Sequence, residues 1–167
     1  METKARLLGH PIHQMLIVLP LGLLIGGWLF DLGFKFLGRP VLGEIGFWNT
    51  AAGILSGLAA AVFGLIDWTA IPAGTRAKAV GLWHASANVL MLALFAASWY
   101  LRRDITGHAP NTTTLGLATA AVAVGAVSGW LGGELVDRLG IGVTPGAHAD
   151  APSSLSGKLP DRSSRAE

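Results

Sequence analysis

Cysteine is absent from the 167-residue sequence. Its absence excludes disulfide bonds, thiolate metal sites and iron–sulfur clusters held by this chain. Charged residues are also scarce: they make up 13% of the chain, about half of the fraction that a soluble domain carries. The formal net charge is only +2, and no basic stripe with interleaved aromatic residues occurs. The composition therefore does not indicate a nucleic-acid partner.

Apolar residues account for 51% of the chain, and the mean hydropathy is +0.53. They form four long stretches, each longer than the roughly 20 residues that cross a bilayer as a helix. Because short connections join antiparallel neighbours, the sequence predicts an all-α, integral membrane four-helix bundle. We expect an up-down-up-down order with both termini on the same side. The predicted spans cover residues 11–37, 45–71, 79–101 and 114–136.

The transmembrane domain is expected to occupy residues 1–145, and the composition changes after it. Residues 146–167 are rich in Ala, Ser, Pro and charge, which predicts a disordered tail. Lys4 and Arg6 precede the first apolar run as in a signal peptide, but this run has full spanning length and no small-residue cleavage site. We interpret it as a retained anchor. A slight excess of Lys and Arg on the amino-terminal side favours both termini in the cytoplasm.

Ionisable residues inside spans are costly, and each is therefore a functional candidate. Most of them fall near the amino-terminal side of the bundle: His10, His13, Asp67, His84, Glu134 and Asp137. Asp67 ends a stripe of small residues, so we expect it to point into the bundle, close to His84 or Arg76. His84 and Asn88 are one helical turn apart and share a face. The spacing predicts that His10, His13, Asp67, His84 and Asn88 converge.

These side chains are suited to binding a metal. Two histidines three residues apart, with a third on another helix, suit a transition-metal ion, and two facing histidines suit the axial positions of a haem iron. His13 and His84 would be the main ligands and His10 the third. Asp67 would orient a histidine, and three further side chains would support the site: Asn88, Arg76 and Glu134. No catalytic residue is assigned, because no nucleophile–base pair stands out.

The same residues also have a purely structural interpretation. His13 and His84 would then be a hydrogen-bonded pair, and Asp67 with Arg76 or His84 a buried ion pair that holds two helices together. Asp31 has Lys35 and the Arg102–Arg103 pair near it, and we expect it to form an ion pair at the membrane surface.

A series of motifs resembles a bacterial membrane family known as domain of unknown function 2231 (DUF2231). The resemblance covers about residues 7–145 and is carried by Gly9 to His13, Pro20, Asp31, Gly64, Asp67, Trp68, Pro72, His84, Asn88, Gly132 to Val136, Gly140 and Val143. It implies four membrane helices in the bacterial inner membrane, without an established activity, and a loose similarity to di-haem cytochromes b. Asp137 and Leu139 stand where the family usually has an aromatic residue and a histidine, so a ligand at that place would be missing here.

Three functions remain open from the sequence. The first is a protein that binds haem b or a transition-metal ion for electron transfer or redox sensing. The second is a transporter or channel subunit that uses buried His and Asp for protons or cations, which would require a continuous polar path across the membrane. The third is a structural subunit without a cofactor that binds a membrane partner. An enzyme is disfavoured, and the oligomeric state stays open.

Overall fold

The computed structural model describes residues 1–160 and contains four helices that are long and apolar enough to cross a membrane. The predicted helical membrane bundle is confirmed. The two shortest elements, two-residue strands that pair with each other, precede the first span, which is divided into two helices. In chain order the elements are β1 Arg6–Leu7, β2 His10–Pro11, α1 Ile12–Leu16, α2 Val18–Leu37, α3 Pro40–Ala70, α4 Arg76–Arg102 and α5 Thr112–Gly133, which continues as a π-helical turn over Glu134–Arg138.

The helix ends differ from the prediction because local capping decides them. Pro40 begins α3 instead of only ending the previous span, since proline suits the first helical position. Gly38 ends α2 with a φ of 65°, a conformation that glycine adopts without strain. Thr75 starts α4 by accepting a hydrogen bond from the Lys78 N–H at 3.1 Å. Asn111 starts α5 in the same way. Three spans therefore begin two to five residues earlier than predicted.

The first span is interrupted between α1 and α2. Pro20 has no N–H, so it cannot donate to the carbonyl of Leu16, one turn earlier. The helical path continues on either side of this gap, because Ile17 donates to the His13 carbonyl and Leu21 donates to the Ile17 carbonyl, both at 3.1 Å. The first span therefore lacks one backbone hydrogen bond near its start and continues as one helical path.

Small residues allow neighbouring helices to approach closely. A Cβ atom on Gly53 of α3 would lie 2.7 Å from the Leu24 side chain of α2, and one on Gly27 of α2 would lie 2.7 Å from the Thr50 hydroxyl of α3. The residue numbers in these contacts rise along α2 and fall along α3, which is the order of antiparallel neighbours. α4 packs on α5 to a similar extent. Between the two hairpins lies an apolar core of Leu24, Leu92, Phe95, Ala118 and Ala121.

Two polar contacts connect the first and third spans, one near each end. His13 lies against His84, and Asp31 forms an ion pair with Arg102. His13 and Asp31 are separated by as many residues as His84 and Arg102. The first and third spans therefore run in the same direction, with the apolar core between the two polar layers.

The segments before α1 and after α5 meet at the histidine end of the bundle. The Arg6 guanidinium donates to the Thr144 hydroxyl at 3.1 Å, and Gly142 donates its N–H to the Met1 carbonyl at 2.9 Å. Ser154–Ser156 form a short 3-10 turn, with the Ser154 hydroxyl 3.3 Å from the His10 ring. The disorder predicted for residues 146–167 stays a prediction, and residues 161–167 lie outside the described residues.

Candidate functional site

His13 projects from α1 onto the backbone of α3. Its Nδ1 lies 2.8 Å from the carbonyl oxygen of Ala60. A carbonyl only accepts, so Nδ1 carries the proton, and Nε2 of the neutral ring keeps its lone pair. Gly64, one turn further along α3, makes room for the ring: a Cβ atom there would lie 2.8 Å from the His13 Cε1. The missing side chain is thus what allows the imidazole to reach the helix backbone.

His84 is bound to α5 in the same manner. Its Nδ1 lies 2.9 Å from the Ser128 carbonyl oxygen, so it too carries the proton on Nδ1. Gly132 is one turn beyond Ser128, and a Cβ atom there would lie 3.2 Å from the His84 Cε1. Unlike Nε2 of His13, Nε2 of His84 accepts a hydrogen bond, which comes from the Asn88 amide 3.1 Å away. The amide also donates to the His84 carbonyl at 3.0 Å.

The two imidazoles face each other between the two helix hairpins. Their ring centroids are 6.5 Å apart and their planes are perpendicular. The structure thus brings together His13, His84 and Asn88 of the predicted cluster. Both rings have the same tautomer, each fixed by a backbone carbonyl of the neighbouring helix.

His10 does not join this pair, so the structure does not bring the three predicted histidine ligands together. His10 belongs to the extended strand β2, is exposed, and has its Nε2 beside Ser154. The spacing argument failed because the helix begins only at Ile12, so His10 and His13 do not share a helical face. Within residues 1–160, no group of three or more His, Asp or Glu side chains is arranged to hold a metal ion.

Asp67 is buried as predicted, with 8% of its surface exposed, but its partners differ from the expected ones. Its Oδ1 accepts hydrogen bonds from the backbone N–H groups of Lys4 and Ala5, at 3.1 and 3.2 Å. Arg76 instead forms an ion pair with Glu134 between α4 and α5. The predicted pairing of Asp67 with His84 or Arg76 is therefore wrong. Asp67 holds the segment before β1 against the bundle.

The opposite end of the bundle contains a fully buried ion pair. Asp31 and Arg102 are each 1% exposed, and Arg102 Nη1 donates to Asp31 Oδ2 at 2.6 Å. Arg102 also donates to the carbonyls of Gly43 and His108, at 2.9 and 2.8 Å. The expected pairing with Arg102 is found, and the pair is buried between the helices. The signal for this was available, since Asp31 continues the inward-facing stripe of His13 and Gly27.

A second polar group at this end was missed by the sequence analysis. The His108 ring stacks on Phe47, with centroids 3.8 Å apart, and its Nδ1 lies 2.9 Å from Glu44 Oε2. His108 lies in a loop, where periodicity carries no information, so the sequence offered no signal for this contact. Beside it, on the surface of α3, is an open cavity of about 390 Å³ lined by Glu44, Ile45, Trp48 and Asn49.

Comparison with known protein families gives one match. Residues 9–145, which include all four spans and the His13–His84 pair, match the family described as "Predicted membrane protein (DUF2231)". No curated protein and no solved structure matches the chain. The match covers most of the chain and agrees with four helices that would sit in a lipid bilayer. The chain belongs to the DUF2231 family of predicted membrane proteins.

Proposed function

We propose that His13 and His84 together bind one redox group, a haem b iron or a transition-metal ion, and that the protein serves electron transfer or redox sensing in the membrane. The observation that carries this proposal is the shared tautomer. Each histidine donates Nδ1–H to a carbonyl of the neighbouring helix, which leaves Nε2 as the ligand atom. Metal-binding histidines are oriented in this way, because the hydrogen bond fixes the ring and raises its basicity.

The separation of the rings supports the same proposal. A metal–nitrogen bond of about 2.0–2.1 Å would require the two Nε2 atoms to come close to one shared ion. The centroids of His13 and His84 are 6.5 Å apart. Because residues 1–160 contain no group of three protein ligands, the remaining coordination positions must be filled from outside the chain. A haem would need only His13 and His84 from the protein, so the donor set favours haem over a bare ion.

Asn88 is the element that must move. Its amide donates to His84 Nε2, and this bond has to break before Nε2 can bind a metal. The same amide nitrogen also donates to the His84 carbonyl, 3.0 Å away, and this bond does not involve Nε2. Rotation of one side chain therefore exposes the ligand atom, and the amide keeps a hydrogen bond throughout.

The polar groups do not favour transport. The histidine layer and the Asp31–Arg102 layer lie near opposite ends, and the core of Leu24, Leu92 and Phe95 fills the space between the hairpins. A path for protons or cations would require polar side chains through this apolar core.

Absorption spectroscopy and elemental analysis of the purified protein test the proposal. We expect a Soret band, or about one metal ion per chain, that is lost in His13→Ala and in His84→Ala. His10→Ala is the matched control and should retain the bound group, since His10 lies outside the pair. If the protein is colourless and metal-free, and both substitutions leave its stability intact, the ligand proposal fails and a structural role replaces it.

For the orientation, we propose both termini in the cytoplasm, on the basis of the Lys and Arg distribution. Reporter domains fused after Gly107 and after Gly146 are expected to report opposite sides, the second one cytoplasmic. Reporters that locate to the same side would contradict the proposed up-down order of the spans.

A further inference from the structure

The cavity beside Glu44 lies on the outer side of the bundle, at the end opposite to the histidine pair. Glu44 is about one turn inside α3, which begins at Pro40. The cavity opens outward, because the Trp48 residue at its wall is 62% exposed and Ile45 is 36% exposed. A bilayer around the four spans would place this cavity at the level of the lipid headgroups, where tryptophan is typically found.

The Glu44 carboxylate leaves part of its binding capacity unused. Its Oε2 accepts the hydrogen bond of His108 Nδ1, whereas Oε1 has no hydrogen bond to another described residue. His108 thus occupies one carboxylate oxygen and leaves the other able to accept from a further donor. The guanidinium of Arg102, near the same Phe47 ring, is already bound to Asp31. No Lys or Arg among the described residues pairs with this partly exposed carboxylate, so its second oxygen can accept from a positive group outside the chain.

Trp48 provides the second contact for such a group. Two other aromatic rings have a cation of the chain above them: the Lys78 ammonium lies 3.7 Å from the Trp68 ring, and the Arg103 guanidinium 3.7 Å from Tyr100. Among residues 1–160 no Lys or Arg occupies this position over Trp48. An indole face is the strongest aromatic partner for a cation.

We propose that this cavity binds the ammonium headgroup of a bilayer phospholipid, between the Glu44 carboxylate and the face of Trp48. Ile45 gives the adjoining apolar surface for the start of the acyl chains. The negative charge of Glu44 opposes headgroups that carry only phosphate, so the site discriminates by charge. The proposal involves none of the residues of the histidine pair and stands independently of haem or metal binding.

Native mass spectrometry of the whole chain with two lipids of identical acyl chains tests this site. We expect phosphatidylethanolamine, which has the ammonium, to bind about tenfold more tightly than phosphatidylglycerol, which lacks it. Glu44→Gln removes the charge and keeps the shape, and should abolish this preference. Trp48→Leu should weaken it.

Asp104→Asn is the matched control, because Asp104 is an exposed acid on the same side that pairs with Arg103. It should leave the preference for phosphatidylethanolamine unchanged. Circular dichroism spectra of all variants verify that the helices are intact. Equal binding of the two lipids by the unaltered chain, or an undiminished preference in folded Glu44→Gln, would overturn the proposal.

Discussion

Replacement of Arg102 by methionine would remove the centre of the buried polar layer. Methionine has a similar length and no charge, so the change leaves the Asp31 carboxylate in the interior without a cation. It also frees the carbonyls of Gly43 and His108, which now accept from the guanidinium. The variant therefore tests three interactions that the structure assigns to one side chain.

The expected loss is large because Arg102 and Asp31 are each only 1% exposed. Breaking a buried ion pair from one side costs about 3–5 kcal/mol. Each carbonyl left without a donor adds about 1–3 kcal/mol, although protonation of Asp31 would limit the total. We expect the free energy of unfolding to fall by roughly 4 kcal/mol or more. The double variant Asp31→Leu/Arg102→Met should be more stable than Arg102→Met alone, because the unpaired carboxylate is gone, and less stable than the natural chain.

Unfolding in mixed micelles with increasing dodecyl sulfate, followed by far-ultraviolet circular dichroism, measures these differences. Arg103→Met is the control, since the neighbouring Arg103 pairs with Asp104 at the exposed surface and should contribute little. If Arg102→Met loses no more stability than Arg103→Met, the buried ion pair is not what holds this end together.

Two further substitutions test the histidine end. Gly64→Ala places a Cβ atom 2.8 Å from the His13 ring, so it should lower the free energy of unfolding by about 1–3 kcal/mol and release any bound group. Gly22→Ala is the control, because Gly22 has open space around it, and it should unfold like the natural chain. A Gly64→Ala variant as stable as Gly22→Ala would contradict the close packing of the ring. Asp67→Leu should speed amide hydrogen exchange at Lys4 and Ala5, because their acceptor is lost; exposed Asp137→Leu should leave it unchanged, and equal exchange in both variants would refute this role of Asp67.

The sequence was sufficient for the helices and for part of the site. The four spans follow from the length of the apolar stretches alone, because a helix needs about 20 apolar residues to cross a bilayer. The approach of His13 and His84 was predictable, because both lie in the first part of spans that begin at the same end: His13 is the second residue of α1, and His84 is the ninth residue of α4. The helix boundaries were predicted less accurately than the spans, because Pro40 is compatible both with the end of one helix and with the start of the next.

Long-range backbone contacts explain what the sequence did not predict. Asp67 binds the N–H groups of Lys4 and Ala5, and no side-chain pattern indicates that an extended segment folds back onto that carboxylate. The burial of Arg102 depends on a loop that returns the His108 carbonyl to it. Contacts of this kind depend on backbone positions, which side-chain periodicity does not report.

The ion pair between Asp31 and Arg102 has a consequence for how the two hairpins find each other. Each hairpin presents a histidine near one end and a charge the same number of residues further on, and the charges have opposite signs. A hairpin that associated with its own kind would bring two carboxylates, or two guanidiniums, together in a dry interior. Such like-charge contacts cost several kcal/mol. The histidines alone would not distinguish one half from the other, whereas the charge pair makes correct assembly the preferred one during insertion into the bilayer.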